Sequence, residues 1–289
     1  VRRKFLNCCI LYMNFLSLIT RYLNEPFLDE FVNYYLSEGV DQIFVLYDID
    51  STLPISDQIK QNSHVTIITS FNFKKKQTRD VNEIFLKIKN SFTWVIFCDC
   101  DEFIGTVKNK DKTIKEELQT TFKDVDCIKI PWVMMSSNQR LKDPPSILQY
   151  LTTRWNHNLK HPHPHKWLKG RCRFHEIEVK CISKCAKIDS LTLHHPVGDN
   201  IHVIESVFCN KSELNPFFEK FREFHIQKAT MLCYHYRVFS NESAKRKFIN
   251  NKLDGYKYGN VTCLLESDYS ELDDEFMKKK SIAKFGVIN

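Results

Sequence analysis

The chain has 289 residues, of which 43% are hydrophobic and 27% charged, as in an ordinary soluble globular protein. Only 7 Gly and 9 Pro argue against a fibrous or linker-rich architecture, and 11 Cys, an odd number spread along the chain, do not match a small disulfide framework. The formal net charge of +7 is scattered rather than gathered in a basic stripe, so we expect an anionic ligand and no nucleic acid. We expect one domain over residues 1–289.

The amino terminus combines a basic start at residues 2–4 with an apolar run over residues 5–19, as a signal or membrane anchor does. Polar residues such as Asn7 and Asn14 interrupt the run, and it is too short for a confident membrane span. We therefore interpret it as leading into a strand. Membrane association is not required, a cytoplasmic location is favoured, and the Golgi lumen is the alternative.

Strands and helices alternate over the first hundred residues. The apolar pattern predicts strands at residues 16–22, 42–47, 65–69 and 94–98, with helices at residues 27–38 and 80–90. Such alternation implies an α/β fold with a parallel, doubly wound sheet.

Two of these strands end in a pair of aspartates. Asp48 and Asp50 follow the second strand, and Asp99 and Asp101 follow the strand at residues 94–98, with Cys100 between them. Open α/β sheets bind ligands at the carboxyl ends of their strands, and paired carboxylates there can hold a divalent cation that bridges phosphates. The pattern predicts a metal-dependent nucleotide or phosphate site, and the alternative is that the aspartates only cap turns.

The second half of the chain is less regular. The sequence predicts a helix at residues 113–122, a strand at 127–135, a His-rich irregular segment, a strand at 191–196, a helix at 213–230, a strand at 231–237 and a basic helix at 241–252. A zinc site is a weaker alternative, because the spacing of its candidate ligands matches no common zinc motif. Those ligands are Cys172, His175, Cys181 and Cys185.

Four segments resemble glycosyltransferase families 2 and 92. They are Asn24-Glu25 after the first strand, EFVNYYLSEGVDQIFVLYDIDS at residues 30–51, WVIFCDCDEF at residues 94–103, and YHYRVFSNESAKRKF at residues 234–248. The Asp-x-Asp-Glu-Phe form is the specific part. The resemblance implies a GT-A fold, which is a Rossmann-like nucleotide-sugar-binding α/β fold with a mixed, mostly parallel sheet flanked by helices. It divides the domain into a nucleotide-sugar half (1–105), an acceptor half (106–240) and a helical tail (241–289).

The resemblance also implies a sugar-nucleotide donor, which we expect to be a UDP-sugar, and a Mn²⁺ or Mg²⁺ ion. It assigns Asp48 and Asp50 to the base and ribose, Asp99 to the ribose or the metal, and Asp101 to direct metal coordination. A late histidine often completes the metal site in such domains, and we expect His195, with His235 as the alternative. The remaining residues expected at the nucleotide sugar are Asn24, Glu25 and Cys100.

Cationic side chains are expected to bind the donor diphosphate. The candidates are Lys166, Lys169, Arg171 and Arg173, with Arg237 and Lys245 as rivals. An acceptor sugar is expected to stack on aromatic rings, for which Trp132, Trp155 and Trp167 are candidates, although core tryptophans would give the same pattern.

Inverting transfer needs a carboxylate that acts as general base on the acceptor hydroxyl. Asp143 and Glu176 are the candidates, while the Glu-Asp pair that marks the base in many inverting relatives is missing from this stretch. We expect a metal-dependent, inverting glycosyltransferase that acts on a glycan hydroxyl. The alternatives are a nucleotidyltransferase, for which no Gly-rich phosphate loop is visible, and a nucleotide-sugar or glycan-binding domain without turnover.

Overall fold

Four parallel strands form the first part of a large mixed sheet. The computed structural model describes residues 14–70, 77–161, 176–253 and 261–288. Its parallel strands lie in the order β3-β2-β1-β4. They are β1 (Asn14–Tyr22), β2 (Gln42–Asp48), β3 (Val65–Ser70) and β4 (Phe92–Phe97). The helices between them are α1 (Leu28–Ser37), α2 (Asp57–Lys60) and α3 (Gln77–Ile88).

Helices cover both faces of these strands. On one face Leu18 of β1 belongs to a buried cluster with Phe31 of α1, and on the other Ile19 belongs to a cluster with Phe85 of α3. Successive strand residues point to opposite faces of a sheet, so both must be apolar when both faces are covered. This explains why β4 is apolar at all but one of its positions.

The remaining strands extend the sheet and pair with their neighbours in both parallel and antiparallel directions. They are β5 (Glu102–Thr106), β6 (Cys127–Ser136), β7 (Thr153–Arg154), β8 (Glu176–Lys184), β11 (Val203–Glu205), β12 (Phe217–Glu219), β13 (Met231–His235) and β14 (Leu272–Asp273), and β9 (Ser190–Leu191) and β10 (Pro196–Val197) form a separate hairpin. The helices are α4 (Ile114–Gln119), α5 (Ile147–Tyr150), α6 (Glu223–Lys228), α7 (Asn241–Leu253), α8 (Val261–Glu266) and α9 (Phe276–Phe285).

Two strands of this second part position the site described below. β8 lies between β4 and β6 and runs antiparallel to both. β13 pairs with β6 in parallel and with β5 in antiparallel register, which places His235 opposite Glu102. The segment that follows β4 is therefore held from two sides by strands distant in sequence.

The predicted fold class, an α/β fold with a mixed sheet flanked by helices, is confirmed, and the predicted early strands agree with the structure to within a few residues. Two predicted elements are wrong. Residues 213–230 are not one helix, because Pro216 interrupts them and β12 pairs with β8 before α6 begins. Residues 191–196 are not one strand, because they turn between β9 and β10. Strands β5 and β8 were not predicted.

β1 begins at Asn14, in agreement with the strand interpretation, and residues 1–13 lie outside the described residues. Among the helices that the structure describes, none is both long enough and apolar enough to cross a membrane.

Candidate active site

The acidic motif after β4 is a short turn between two buried strands. Glu102 opens β5, its side chain is fully buried, and its Oε2 accepts a hydrogen bond from the Asp99 backbone N–H at 2.9 Å. The next residue, Phe103, is also fully buried and packs against the rings of Phe31 and Tyr236. The Glu-Phe part of the motif thus anchors the turn that presents Asp99 and Asp101.

Lys180 on β8 binds both Asp99 and Glu102. Its Nζ lies 3.2 Å from Asp99 Oδ2, 2.9 Å from Glu102 Oε2 and 3.0 Å from the Leu193 carbonyl oxygen, and the side chain is buried. Burial disfavours the charge on Lys180, but the two carboxylates outweigh it and raise its pKa. A lysine deep in the sheet needs such partners, since an unpaired buried charge is very costly.

The ionisation of Asp99 and Glu102 depends on burial and on the neighbouring Lys180. Burial opposes ionisation of Asp99, but Lys180 outweighs it and lowers the pKa of that carboxyl. Burial raises the pKa of Glu102 well above its usual range. Lys180 therefore favours the ionised form of Asp99, while burial opposes ionisation of Glu102.

Asp101 lies beside a histidine and a lysine from two other elements. Its Oδ2 is 3.6 Å from Nε2 of His235, the last residue of β13, and accepts a short hydrogen bond from Nζ of Lys247 on α7. Its carbonyl oxygen accepts a hydrogen bond of 2.8 Å from the Tyr236 backbone N–H. Burial opposes ionisation, but Lys247 and His235 outweigh it and hold the pKa of Asp101 well below its usual range. Asp101 is therefore a buried, ionised carboxylate.

A small cavity of about 20 Å³ lies beside Asp101, roughly the space of one water molecule. Cationic and anionic groups share its wall. Its lining residues are Asn24, Glu25, Asp101, Arg237, Phe239, Ser243, Arg246, Lys247 and Asn250. Burial and the nearby charge of Asp101 raise the pKa of Glu25 to about 7.

Asn24 joins three segments at this cavity. Its backbone has a positive φ of 56°, and its Oδ1 accepts hydrogen bonds from the backbone N–H groups of Thr52 at 2.6 Å and Leu53 at 2.9 Å. Its Nδ2 donates to Asn250 Oδ1 on α7 at 3.1 Å. Asn tolerates a left-handed backbone better than most residues. Asn24 thus fixes the loop after β2 and the helix α7 against the end of β1.

Of the two predicted histidines, the structure brings His235 to Asp101. His195 lies in the turn before β10, where its Nδ1 is 2.9 Å from the Pro196 carbonyl oxygen. Trp132 packs its ring against His235 at 4.2 Å and against His194, the neighbour of His195, at 5.4 Å. No group of three or more His, Cys, Asp or Glu residues that could hold a metal occurs within the described residues.

The aspartates after β2 lie in a different setting. Asp48 is buried, and its Oδ1 accepts a hydrogen bond of 2.9 Å from the backbone N–H of Asp50, which is itself exposed. Cys100 is also buried and donates from Sγ to the Arg21 carbonyl oxygen at 3.2 Å. The predicted roles of these residues at the nucleotide sugar stay predictions.

The two candidate bases lie in different places. Asp143 accepts hydrogen bonds of 2.5 Å from Ser240 Oγ and from Arg246, which itself lines the cavity. Glu176 begins β8, where it pairs with Glu219 of β12. Both assignments as a base stay predictions.

Several predicted residues lie outside the described residues. They are Lys166, Trp167, Lys169, Arg171, Cys172, Arg173 and His175. Of the rival cations, Arg237 lines the cavity and Lys245 is exposed. Trp132 and Trp155 are buried, with Trp155 packed on His161. Sequence reasoning missed Lys180 and Lys247, and the only signal for Lys247 was the basic run of residues 245–247.

Comparison with known families identifies the chain. The model of glycosyltransferase family 92 matches residues 22–262, which is most of the sequence and includes every element of the site. The chain belongs to glycosyltransferase family 92. This confirms the prediction of a glycosyltransferase rather than the alternative, a nucleotidyltransferase.

Similar solved structures include the S. aureus protein TarS in residues 1–349, with 14% identity over 60% of this chain and a TM-score of 0.32. A structure of HddC from Yersinia pseudotuberculosis with GMP-PN has 12% identity over 60% of this chain and 77% of that chain, with a TM-score of 0.31. The match spans 47% of the TarS chain. No curated protein matches this family 92 sequence.

Proposed function

We propose that this family 92 enzyme transfers a hexose or pentose from a UDP-sugar to a hydroxyl group of a glycan, with a divalent cation and with inversion. The observation that carries the proposal is the pairing of Asp101 with His235 at the carboxyl end of β4. In open α/β sheets this edge is where ligands bind. Family membership supports the transfer of a sugar, and the acidic turn supports a phosphate-bearing donor.

The residues at Asp101 fit a divalent cation in chemical type. A carboxylate and an imidazole are both ligands that Mn²⁺ accepts, and Asp99, whose side chain is 39% exposed, is available on the same turn. We assign Asp101 and His235 as direct ligands, with His195 as the remaining alternative. When bound, the cation would neutralise charge on the diphosphate as it leaves.

Lys180 and Asn24 hold other residues of the site in position. Lys180 fixes Asp99 and Glu102, so the acidic turn keeps its shape without a ligand. Asn24 holds the loop after β2, which carries Asp50 at the exposed edge. We keep Asp48 and Asp50 as the base and ribose contacts of the donor. A site arranged before binding loses less entropy when the donor enters.

The general base decides whether the reaction inverts. We keep Asp143 and Glu176 as candidates. Asp143 accepts hydrogen bonds from Ser240 and Arg246, so an acceptor hydroxyl would have to compete with these donors. The anomeric configuration of the glycosidic bond that is formed, read by NMR and compared with that of the donor sugar, tests inversion directly. Asn and Gln variants at the two positions test which carboxylate takes the proton.

Thermal unfolding with nucleotides tests donor binding. A ligand that binds only the folded state raises the unfolding midpoint. We expect UDP or a UDP-sugar with Mn²⁺ to raise the midpoint of the wild type, EDTA to remove the shift, and Asp101→Asn to lose it. Absence of a shift with any nucleotide in either metal condition would contradict the proposed donor. A shift that survives both EDTA and Asp101→Asn would contradict the proposed metal.

A further inference from the structure

Lys247 occupies the side of Asp101 that the proposed cation needs. Its Nζ donates to Asp101 Oδ2, the same oxygen that faces His235 Nε2. The Lys247 side chain is 34% exposed, whereas that of Asp101 is only 8% exposed. The ammonium therefore reaches inward from the rim of the site to a buried carboxylate.

The helix that carries Lys247 is fixed on two sides. Asn250 of α7 donates to the Leu23 carbonyl oxygen at 2.8 Å and accepts from Asn24, which ties the helix to the end of β1. Arg246 forms an ion pair with Asp143 at 2.5 Å. The backbone of Lys247 is thus held in place, while its four-carbon stem can carry the ammonium between neighbouring acceptors.

A divalent cation and the Lys247 ammonium cannot both stay on one buried oxygen of Asp101 without an added anion. A cation and an ammonium that both contact the same carboxylate oxygen repel each other strongly where water is excluded. Arg237 and Arg246 line the same small cavity as Lys247, so a phosphate group bound at the rim of this cavity meets several donors. A diphosphate supplies the missing negative charge and can accept hydrogen bonds from all of them.

We propose that Lys247 is a diphosphate-binding residue: it pairs with Asp101 when no donor is bound, and it pairs with the diphosphate of the donor when the cation takes its place. This inference rests on the proposed function, because it needs a nucleoside diphosphate and a cation at Asp101. It assigns the Lys247 side chain, carried by a fixed α7, as the group that responds to donor binding.

Titration calorimetry with Mn²⁺ alone, and then with UDP at saturating Mn²⁺, tests this on the whole chain. Lys247→Met removes the competing ammonium, so we expect Mn²⁺ alone to bind about tenfold more tightly than to the wild type, as the loss of one ion pair predicts. We expect the same variant to bind UDP about tenfold more weakly at saturating Mn²⁺. Lys279→Met, which removes an exposed ammonium of α9 that pairs with Glu275, is the matched control and should change neither affinity.

A conservative variant separates charge from folding. Lys247→Arg keeps the cation, so we expect UDP affinity near that of the wild type. The role of Lys247 is overturned if Lys247→Met binds Mn²⁺ and UDP with wild-type affinity. It is also overturned if Lys247→Arg and Lys247→Met lose the same amount of UDP affinity. If the wild type itself binds neither Mn²⁺ nor UDP, the proposed function fails, which is a distinct result.

Discussion

Two turns of this molecule carry the same Asp-x-Asp pattern at the carboxyl end of a parallel strand, and they differ in burial. After β2, Asp48 accepts a hydrogen bond from its own turn, and Ile49 and Asp50 are exposed. After β4, Cys100 is buried and the Asp101 side chain is only 8% exposed.

The difference comes from elements distant in sequence. β8 brings Lys180 to the turn after β4, β13 brings His235, and α7 brings Lys247. The turn after β2 is fixed by hydrogen bonds from its backbone to Asn24. A local acidic pattern thus acquires its electrostatic character from the cations that other strands and helices place beside it.

The largest expected effect is on catalysis, where substitutions in the two turns should change different kinetic constants. Asp101→Asn keeps the shape of the side chain but removes its charge, so we expect kcat to fall by about 10³-fold, as when a major electrostatic group of an active site is lost. Asp50→Asn should raise the KM for the donor by about tenfold with little change in kcat, because it weakens one ribose contact. Steady-state kinetics with a UDP-sugar measures both. Equal effects of the two variants would contradict the distinction.

A second comparison concerns stability at the turn after β4. Lys180→Met removes the hydrogen bond from the ammonium to the partly exposed carboxylate of Asp99, so we expect the free energy of unfolding to fall by about 2 kcal/mol. Because burial raises the pKa of Glu102, Glu102→Gln, which introduces a neutral amide of the same shape, should cost about 1 kcal/mol or less. Urea denaturation of both variants checks the order. A larger loss for Glu102→Gln would show that Glu102 is ionised.

Metal affinity distinguishes the two histidines. If His235 is a direct ligand, His235→Ala should weaken Mn²⁺ binding at least about tenfold, which corresponds to 1.4 kcal/mol. His195→Ala should leave the affinity unchanged, because His235 and not His195 faces Asp101 in the structure. Titration of Mn²⁺ followed by electron paramagnetic resonance measures both constants. The reverse order would assign the metal to His195.

The smallest expected effect is a pH dependence of stability. The pKa of Glu25 is about 7 in the folded protein against 4.5 for the free side chain, so the folded state binds more protons between these values. The wild type therefore loses stability as the pH rises from about 4.5 to about 7. The full shift corresponds to about 3 kcal/mol, but Glu25 is partly exposed and its charge is screened by solvent. Glu25→Gln should therefore match the wild type at pH 4 and exceed it by about 1 kcal/mol at pH 8, as shown by unfolding midpoints. A constant difference over this range would contradict the raised pKa.

The parallel half of the fold could be predicted because its signals are local. Apolar runs such as β4 are buried on both faces, and the aspartates follow them directly in the sequence. β8 was missed because it follows an irregular His-rich segment, and because its Lys180 has the pattern of a solvent-facing strand residue. Its burial depends on Asp99 and Glu102, some 80 residues away, which no local pattern records.

The cation on α7 was missed for a related reason. Residues 245–247 are all basic, and the helix has few apolar residues to indicate which side faces the protein. Lys245, named from the sequence as a candidate, is exposed, while Lys247 two positions later reaches Asp101. Successive helical residues lie 100° apart, so the choice between the two depends on the tertiary position of the helix.

The measurement that tests the central claim most directly is release of UDP from a panel of UDP-sugars, each offered together with a panel of glycan acceptors, by the wild type and by Asp101→Asn, each with Mn²⁺ and with EDTA. The account predicts that the wild type releases UDP from a UDP-sugar when Mn²⁺ is present, that EDTA abolishes the release, and that Asp101→Asn releases almost none. Release that persists in EDTA, or that Asp101→Asn retains at the wild-type rate, would contradict a metal-dependent transfer centred on Asp101.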